Sequence, residues 1–194
     1  MGKLFAVILF CSFFFSCEEI STPKPRAYFR IELPEKSYTE YRSVNCPFLF
    51  EYPVYATIHQ DTTFFNEKTE NPCWLNIDFA SLGGMIHISY KPITAKQSLS
   101  KLREDAHKLT FKHTIRADYI EESLISNKNG VSGMLYDVGG NAASNIQFYL
   151  TDSTQHYLRG ALYFNTVPNA DSISPVVNFV REDMVHLIES FQWK

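Results

Sequence analysis

The chain has 194 residues and a formal net charge of −3, and 45% of its residues are hydrophobic. That length suits one domain with a real core. The 18 Lys and Arg are scattered and outnumbered by 21 Asp and Glu, which excludes the basic field that nucleic acid requires.

Met1-Gly2-Lys3 and the uncharged apolar run Leu4–Phe15 have the n-region and h-region of a targeting signal. The run is too short to span a bilayer, which takes about 20 apolar residues, and no later segment approaches that length. Ser16 then precedes Cys17, and the residues look like the lipobox of bacterial lipoproteins, where the sulfur is acylated and the chain is cut just before it. Phe14 stands where Leu is usual. An ordinary signal peptide with a chance cysteine leaves unexplained both the Ser16-Cys17 pair and the polar, proline-bearing stretch behind it. The predicted organisation is a signal peptide over 1–16, a lipidated tether over 17–37 with prolines at 23, 25 and 34, and a single α+β domain over 38–194. With Cys11 lost in the signal and Cys17 lipidated, Cys46 and Cys73 remain to pair in an oxidising envelope. The alternative, a metal pair, lacks a second Cys or His at zinc-site spacing near either one.

Strands are predicted at Phe48–Tyr55, Trp74–Ala80 and Met85–Tyr90, the last two alternating apolar and polar residues and joined at Gly83-Gly84 as a hairpin. Lys91-Pro92 is expected to end the sheet. A helix is predicted over Ala95–Leu109, with Leu99, Leu102, Ala106 and Leu109 on one face. Four more strands follow at Tyr119–Ser126, Val131–Val138, Asn145–Thr151 and His156–Asn165, with turns at 127–130, 139–141 and 152–154. The final helix is predicted to be capped by Ser174 with Pro175 at its first position, and to bury Val176, Val180, Met184, Leu187, Ile188 and Phe191. The class is α+β, a mainly antiparallel sheet of about six to seven strands with two helices packed on it. The element order is similar to that of the PsbP-like fold of small exported and lumenal proteins, an analogy of fold alone.

Glu104 with His107, and Asp183 with His186, have the three-residue spacing of di-iron bundle ligands. At about 100° per residue, Glu104 and His186 lie opposite the apolar faces, so no metal site is expected. No nucleophile elbow, phosphate loop or dinucleotide fingerprint occurs, so no catalytic residue and no cofactor is expected. What remains is a polar sheet face of Asn76, Asp78, His87, Ser89, Gln147, Tyr149, Tyr157 and Arg159. If both helices cover the other face, these side chains suit docking of a protein surface; a plainly solvated face is the alternative. The polar loops carrying Asn141 and Asn145, and Asn165 and Asn169, are a second candidate for partner binding, unless they only form turns and a helix cap.

PKPRAYFRIELPEK (23–36), CPFLFEYP (46–53), CWLNI (73–77), KHTIRAD (112–118), GNAASNIQFYLTDS (140–153), RGALYFNTVPNADS (159–172) and EDMVHLIESFQWK (182–194) together resemble the gliding motility lipoprotein GldD family over essentially the whole mature chain. The resemblance implies an envelope lipoprotein required for gliding and tied to the type IX secretion apparatus. The expected partners are the membrane, through the lipid, and other lipoproteins of that apparatus, and the expected place is the outer membrane facing the periplasm. It carries over Cys17 as the acylation site and Cys46 and Cys73 as the cysteines opening two motifs, and no catalytic residue. The expected function is therefore non-enzymatic binding or stabilisation of a machine component. The alternative is a lipoprotein holding a small ligand, such as a lipid or glycan fragment, in a pocket between sheet and helices.

Overall fold

Alternating apolar residues at 75, 77, 79, at 86, 88, 90, at 146, 148, 150 and at 158, 162 give one sheet a continuous greasy face, and burying it organises the molecule. The computed structural model describes residues 30–64 and 67–194; the signal, Cys17 and most of the tether lie outside them. Residues Glu32–Lys194 form one compact unit. Its strands are β1 (Tyr38–Arg42), β2 (Phe48–Pro53), β3 (Thr57–Gln60), β4 (Thr63–Phe64), β5 (Glu67–Lys68), β6 (Leu75–Phe79), β7 (Gly84–Pro92), β8 (Ala117–Ser126), β9 (Ser132–Gly140), β10 (Ile146–Thr151), β11 (His156–Phe164) and β12 (Gln192–Trp193). The helices are α1 (Leu99–Phe111) and α2 (Ala170–Ser190). The fold is α+β. A seven-stranded antiparallel sheet has the order β3-β6-β7-β11-β10-β9-β8, a three-stranded sheet the order β1-β2-β12, and β4 and β5 pair alone.

One core joins the apolar face of the large sheet to Val176, Val180, Met184, Leu187 and Ile188 of α2 and to Phe48 and Phe50 of the small sheet. Phe191 stacks with Phe50 at 6.3 Å and Phe48 at 5.7 Å, so the end of α2 is sealed by aromatic rings. Cys46 and Cys73, both buried, are disulfide-bonded with Cα atoms 5.5 Å apart, tying the entry of β2 to the entry of β6.

The two helices do not share a face. A second, smaller core holds Leu102 and Ala106 of α1 against Tyr136, Tyr149 and Tyr157, on the opposite side of the large sheet from α2. The reason is visible in α1 itself, whose buried stripe is Leu102, Ala106 and Thr110 while Leu109 is 42% exposed. A stripe that includes a hydroxyl suits a face of tyrosines and Gln147, and Thr110 Oγ1 bonds Gln147 Oε1 at 3.1 Å.

Other boundaries move for local reasons. Helix α1 starts after Ser98, whose side chain accepts from the Lys101 N–H, and not at Ala95. Helix α2 starts at Ala170 and not after Ser174, because Asn169 accepts from the Ser172 N–H and Asn141 Oδ1 accepts from the Ala170 N–H at 2.9 Å. Pro175 then falls inside the helix. The sheet does not stop at Lys91-Pro92, since β7 pairs with β11 through His156↔Pro92 at the strand end, where a missing N–H is tolerated. Gly139 and Gly140 belong to β9, not to a turn. Between β6 and β7 a 3-10 turn closes on Gly83, whose φ of 63° favours glycine. Strands β1, β3, β4, β5 and β12 have no counterpart in the sequence expectation.

The β10–β11 hairpin is closed by Asp152, whose Oδ1 accepts from the N–H groups of Thr154, Gln155 and His156 at 3.0, 2.9 and 2.8 Å. Burial works to raise its pKa, but the three donors outweigh burial and hold the carboxyl below its usual range. A lowered folded pKa means that the contribution is complete above the unfolded value near 4 and is lost as pH falls through the folded value. Asp152→Asn keeps the acceptor and removes the titration. The urea midpoint of the wild type is expected to fall more between pH 5 and pH 2 than that of the variant.

Candidate functional site

Cross-strand register assembles the polar face row by row. Asn76, His87, Ala161, Gln147 and Tyr136 lie side by side across β6, β7, β11, β10 and β9, and the next row is Ser89, Arg159, Tyr149 and Met134. A third row runs Lys91, Tyr157, Thr151. The alternate residues picked out by the sequence therefore share one face, but α1 lies across it. Gln147, Tyr149 and Tyr157 are buried, so they are not part of an open docking surface. Asn76, Asp78 and His87 remain partly open beyond the helix.

Between α1 and this face lies a cavity of about 410 Å³, within the size range of small-molecule sites. Its apolar walls are Leu102, Ala106 and Leu109 of α1 with Trp74 and Tyr157, and its polar floor is His87, Ser89 and Arg159. Ile88, Asp61, Asp105, Lys91, Lys108 and Lys112 complete the lining. Two of these lysines are neutralised nearby, Lys91 by Glu70 at 3.0 Å and Lys108 by Glu104 at 2.5 Å. The Tyr157 hydroxyl donates to the Leu102 carbonyl at 3.1 Å and fixes α1 to the sheet. Trp74 Nε1 donates to the Tyr90 carbonyl at 3.1 Å, which holds the indole in the wall.

Arg159 donates to Gln147 Oε1, and Tyr163 lies near its guanidinium. Because Arg159 can only donate, the amide oxygen must face it, and Gln147 Nε2 is buried without a partner. Burial pulls the guanidinium below its usual pKa, and no carboxylate among the described residues lies within ion-pair distance of it. Burial likewise lowers the His87 pKa, with the charge of Asp61 acting the other way, and His87 Nδ1 sits 2.7 Å from Asn76 Oδ1.

The loop asparagines do structural work in the fold. Asn141 and Asn169 satisfy the first turn of α2, Asn145 is buried with Nδ2 donating to the Val138 carbonyl at 3.2 Å, and the Asn165 backbone N–H donates to the Gly83 carbonyl at 2.8 Å. Asn141, Asn165 and Asn169 remain exposed.

A second constellation escaped the sequence reading. Asp183 is 1% exposed on the apolar stripe of α2 and accepts from Lys36 Nζ at 3.1 Å, the Tyr38 hydroxyl at 2.9 Å and the Tyr55 hydroxyl. Lys36 also donates to the Phe179 carbonyl at 2.8 Å and lies 4.3 Å from its ring centroid. Lys36 therefore belongs to the folded unit and not to a free tether. The available signal was position, since 183 stands three residues after Val180 and four before Leu187. His186 does not face free solvent either. It stacks on Tyr38 at 3.6 Å and meets Glu51 Oε2 at 2.6 Å. Among the described residues no group of three or more His, Cys, Asp and Glu could hold a metal, and no helix is long and apolar enough to cross a membrane.

A family model described as gliding motility lipoprotein GldD matches residues 18–193. The chain belongs to this family. Membership associates it with the cell envelope and with gliding motility. Among solved structures it is similar to the solution structure of cyanobacterial PsbP (CyanoP) from Synechocystis sp. PCC 6803. The identity is 12% and the TM-score 0.49, over 89% of this chain and 100% of that one. A search of curated proteins finds no match.

Proposed function

We propose that the protein is a non-enzymatic interaction component, held by a lipid on Cys17 to the periplasmic side of the outer membrane, that binds or stabilises part of the gliding and type IX secretion machinery. The observation that carries this reading is the family match, which starts at residue 18, directly after the lipobox-like cysteine. Residues 1–16 are then the cleaved signal, and the stretch from Cys17 to the Lys36 clamp is the tether. At no more than about 3.6 Å per residue, that stretch keeps the domain and its partner close to the membrane. The docking residues proposed are those left open by the fold: Asn76, Asp78 and His87 beyond the edge of α1, and Asn141, Asn165 and Asn169 at the α2 end. Asn145, Gln147 and Tyr149 act from inside, by shaping these surfaces.

A chromosomal deletion, complemented with either the wild-type chain or Cys17→Ala, tests the reading when single-cell gliding and release of type IX cargo are scored together. Expected is loss of both in the deletion, recovery with the wild type, and no recovery with Cys17→Ala, whose protein leaves the membrane fraction. Loss of gliding with normal cargo release would move the protein to the adhesin-driving step. Normal gliding in the deletion would overturn the proposal, and Cys17→Ala protein that stays in the membrane fraction would remove the lipid from it.

A further inference from the structure

We infer that the cavity between α1 and the large sheet is a binding site for a small amphiphile with one anionic head, a carboxylate or a phosphate, seated on Arg159 with its apolar body against Leu102, Leu109 and Trp74. Such a site is separate from the binding of a machine component and can be tested on the purified protein alone.

The first step is charge. A guanidinium has five N–H donors and no acceptor, and the side-chain partners of Arg159 are the neutral groups of Gln147 and Tyr163. Arg159 is half-buried, and a cation partly withdrawn from water without a counterion is costly. Folds that keep one commonly use it, because the planar fork fits a carboxylate or phosphate with two parallel hydrogen bonds. The second step is shape. Arg159 is on the floor of a cavity of about 410 Å³, and the walls rising from it are aliphatic on the α1 side and aromatic on the sheet side. An ion without an apolar body would leave those walls unfilled, and a neutral apolar molecule would bury Arg159 further without a partner. An anionic amphiphile meets both demands. The third step is the balance of the lining. Lys91 and Lys108 already have Glu70 and Glu104, whereas Lys112 adds a cation for which no ion pair is found among the described residues. Asp105 on the same lining disfavours a second negative charge, so a single anionic head is favoured over a polyanion.

Decanoate and decyl phosphate are the probes, with decan-1-ol as the neutral isostere, titrated by calorimetry into the mature chain carrying Cys17→Ser so that no detergent is needed. At least one anion is expected to bind tenfold or more tighter than decanol, and the better of the two identifies the head group. Arg159→Gln is expected to abolish that preference, with anion binding weakened tenfold or more. Methyl and indole NMR shifts on the unsubstituted domain give a second reading that needs no variant: decanoate should move the resonances of Leu102, Leu109 and Trp74 and leave those of the α2 core in place. Equal binding of decanol and both anions, absence of anion binding, shifts centred elsewhere, or a folded Arg159→Gln protein that retains the preference would each overturn the assignment.

Discussion

Asp183→Ala is expected to destabilise the protein by about 3–5 kcal/mol, the range for removing one partner from a buried charged cluster. At about 2–4 °C per kcal/mol for a domain of this size, Tm falls by roughly 10 °C. The carboxylate is 1% exposed and accepts from Lys36, Tyr38 and Tyr55, so the substitution removes the acceptor of both hydroxyls and leaves Lys36 with the Phe179 carbonyl and Glu182. Glu182→Ala is the control. Glu182 also pairs with Lys36, at 2.9 Å, but its side chain is 72% exposed, and such pairs contribute about 0–1 kcal/mol. The cluster also has an alkaline signature. Burial, then hydrogen bonding to Asp183, raises the Tyr38 pKa to about 12, and the same causes raise Tyr55 further. A raised folded pKa means that the stabilisation is complete below the unfolded tyrosine value near 10 and is lost as pH rises through the folded values. The wild type should therefore lose stability from about pH 10 upward, and Asp183→Ala should lose less because its tyrosines titrate nearer their ordinary value. Thermal unfolding at pH 7 and pH 11 on the three proteins decides the matter. A loss under 1 kcal/mol for Asp183→Ala would show that the cluster does not fasten residues 36–38 to the core.

What could be read from the sequence followed period and burial. The α2 stripe and the β6–β7, β9–β10 and β10–β11 pairings come from repeats of 3.6 and 2 residues, and the structure has them. Strands β1, β3 and β12 escaped because YTEYR, TIHQ and QW are short, and their pairing is decided by β2 and β6 lying beside them. The side taken by α1 was illegible for a different reason. Alternating Gln147, Tyr149, Tyr157 and Arg159 look alike in sequence whether water or a helix covers them, and what decides is the match between Thr110 and Gln147 and between Leu102 and the Tyr157 hydroxyl. The cavity follows from that placement, and so does the contraction of the open polar face to its Asn76, Asp78 and His87 margin.

Converting Cys46 and Cys73 together to Ser is expected to cost about 3–4 kcal/mol and to lower the urea midpoint accordingly. The two cysteines are 27 residues apart, and closing a loop of that length in the unfolded chain corresponds to about 3.5 kcal/mol at 25 °C on the chain-entropy account. The location makes the effect more than a number. Cys46 leads into β2 of the small sheet and Cys73 into β6 of the large one, so the bond fastens the two sheets at the end where Phe48, Phe191 and Trp193 pack. The double Ser variant is preferred to either single one, because a single replacement leaves a free buried thiol able to form mixed disulfides during folding. Thiol labelling of the denatured, unreduced wild type should find both cysteines blocked, and reduction should bring its urea midpoint to that of the double variant. Free thiols in the envelope-derived protein, or equal midpoints for wild type and double variant, would leave the join between the sheets to the aromatic packing of β2, β12 and Tyr90 alone.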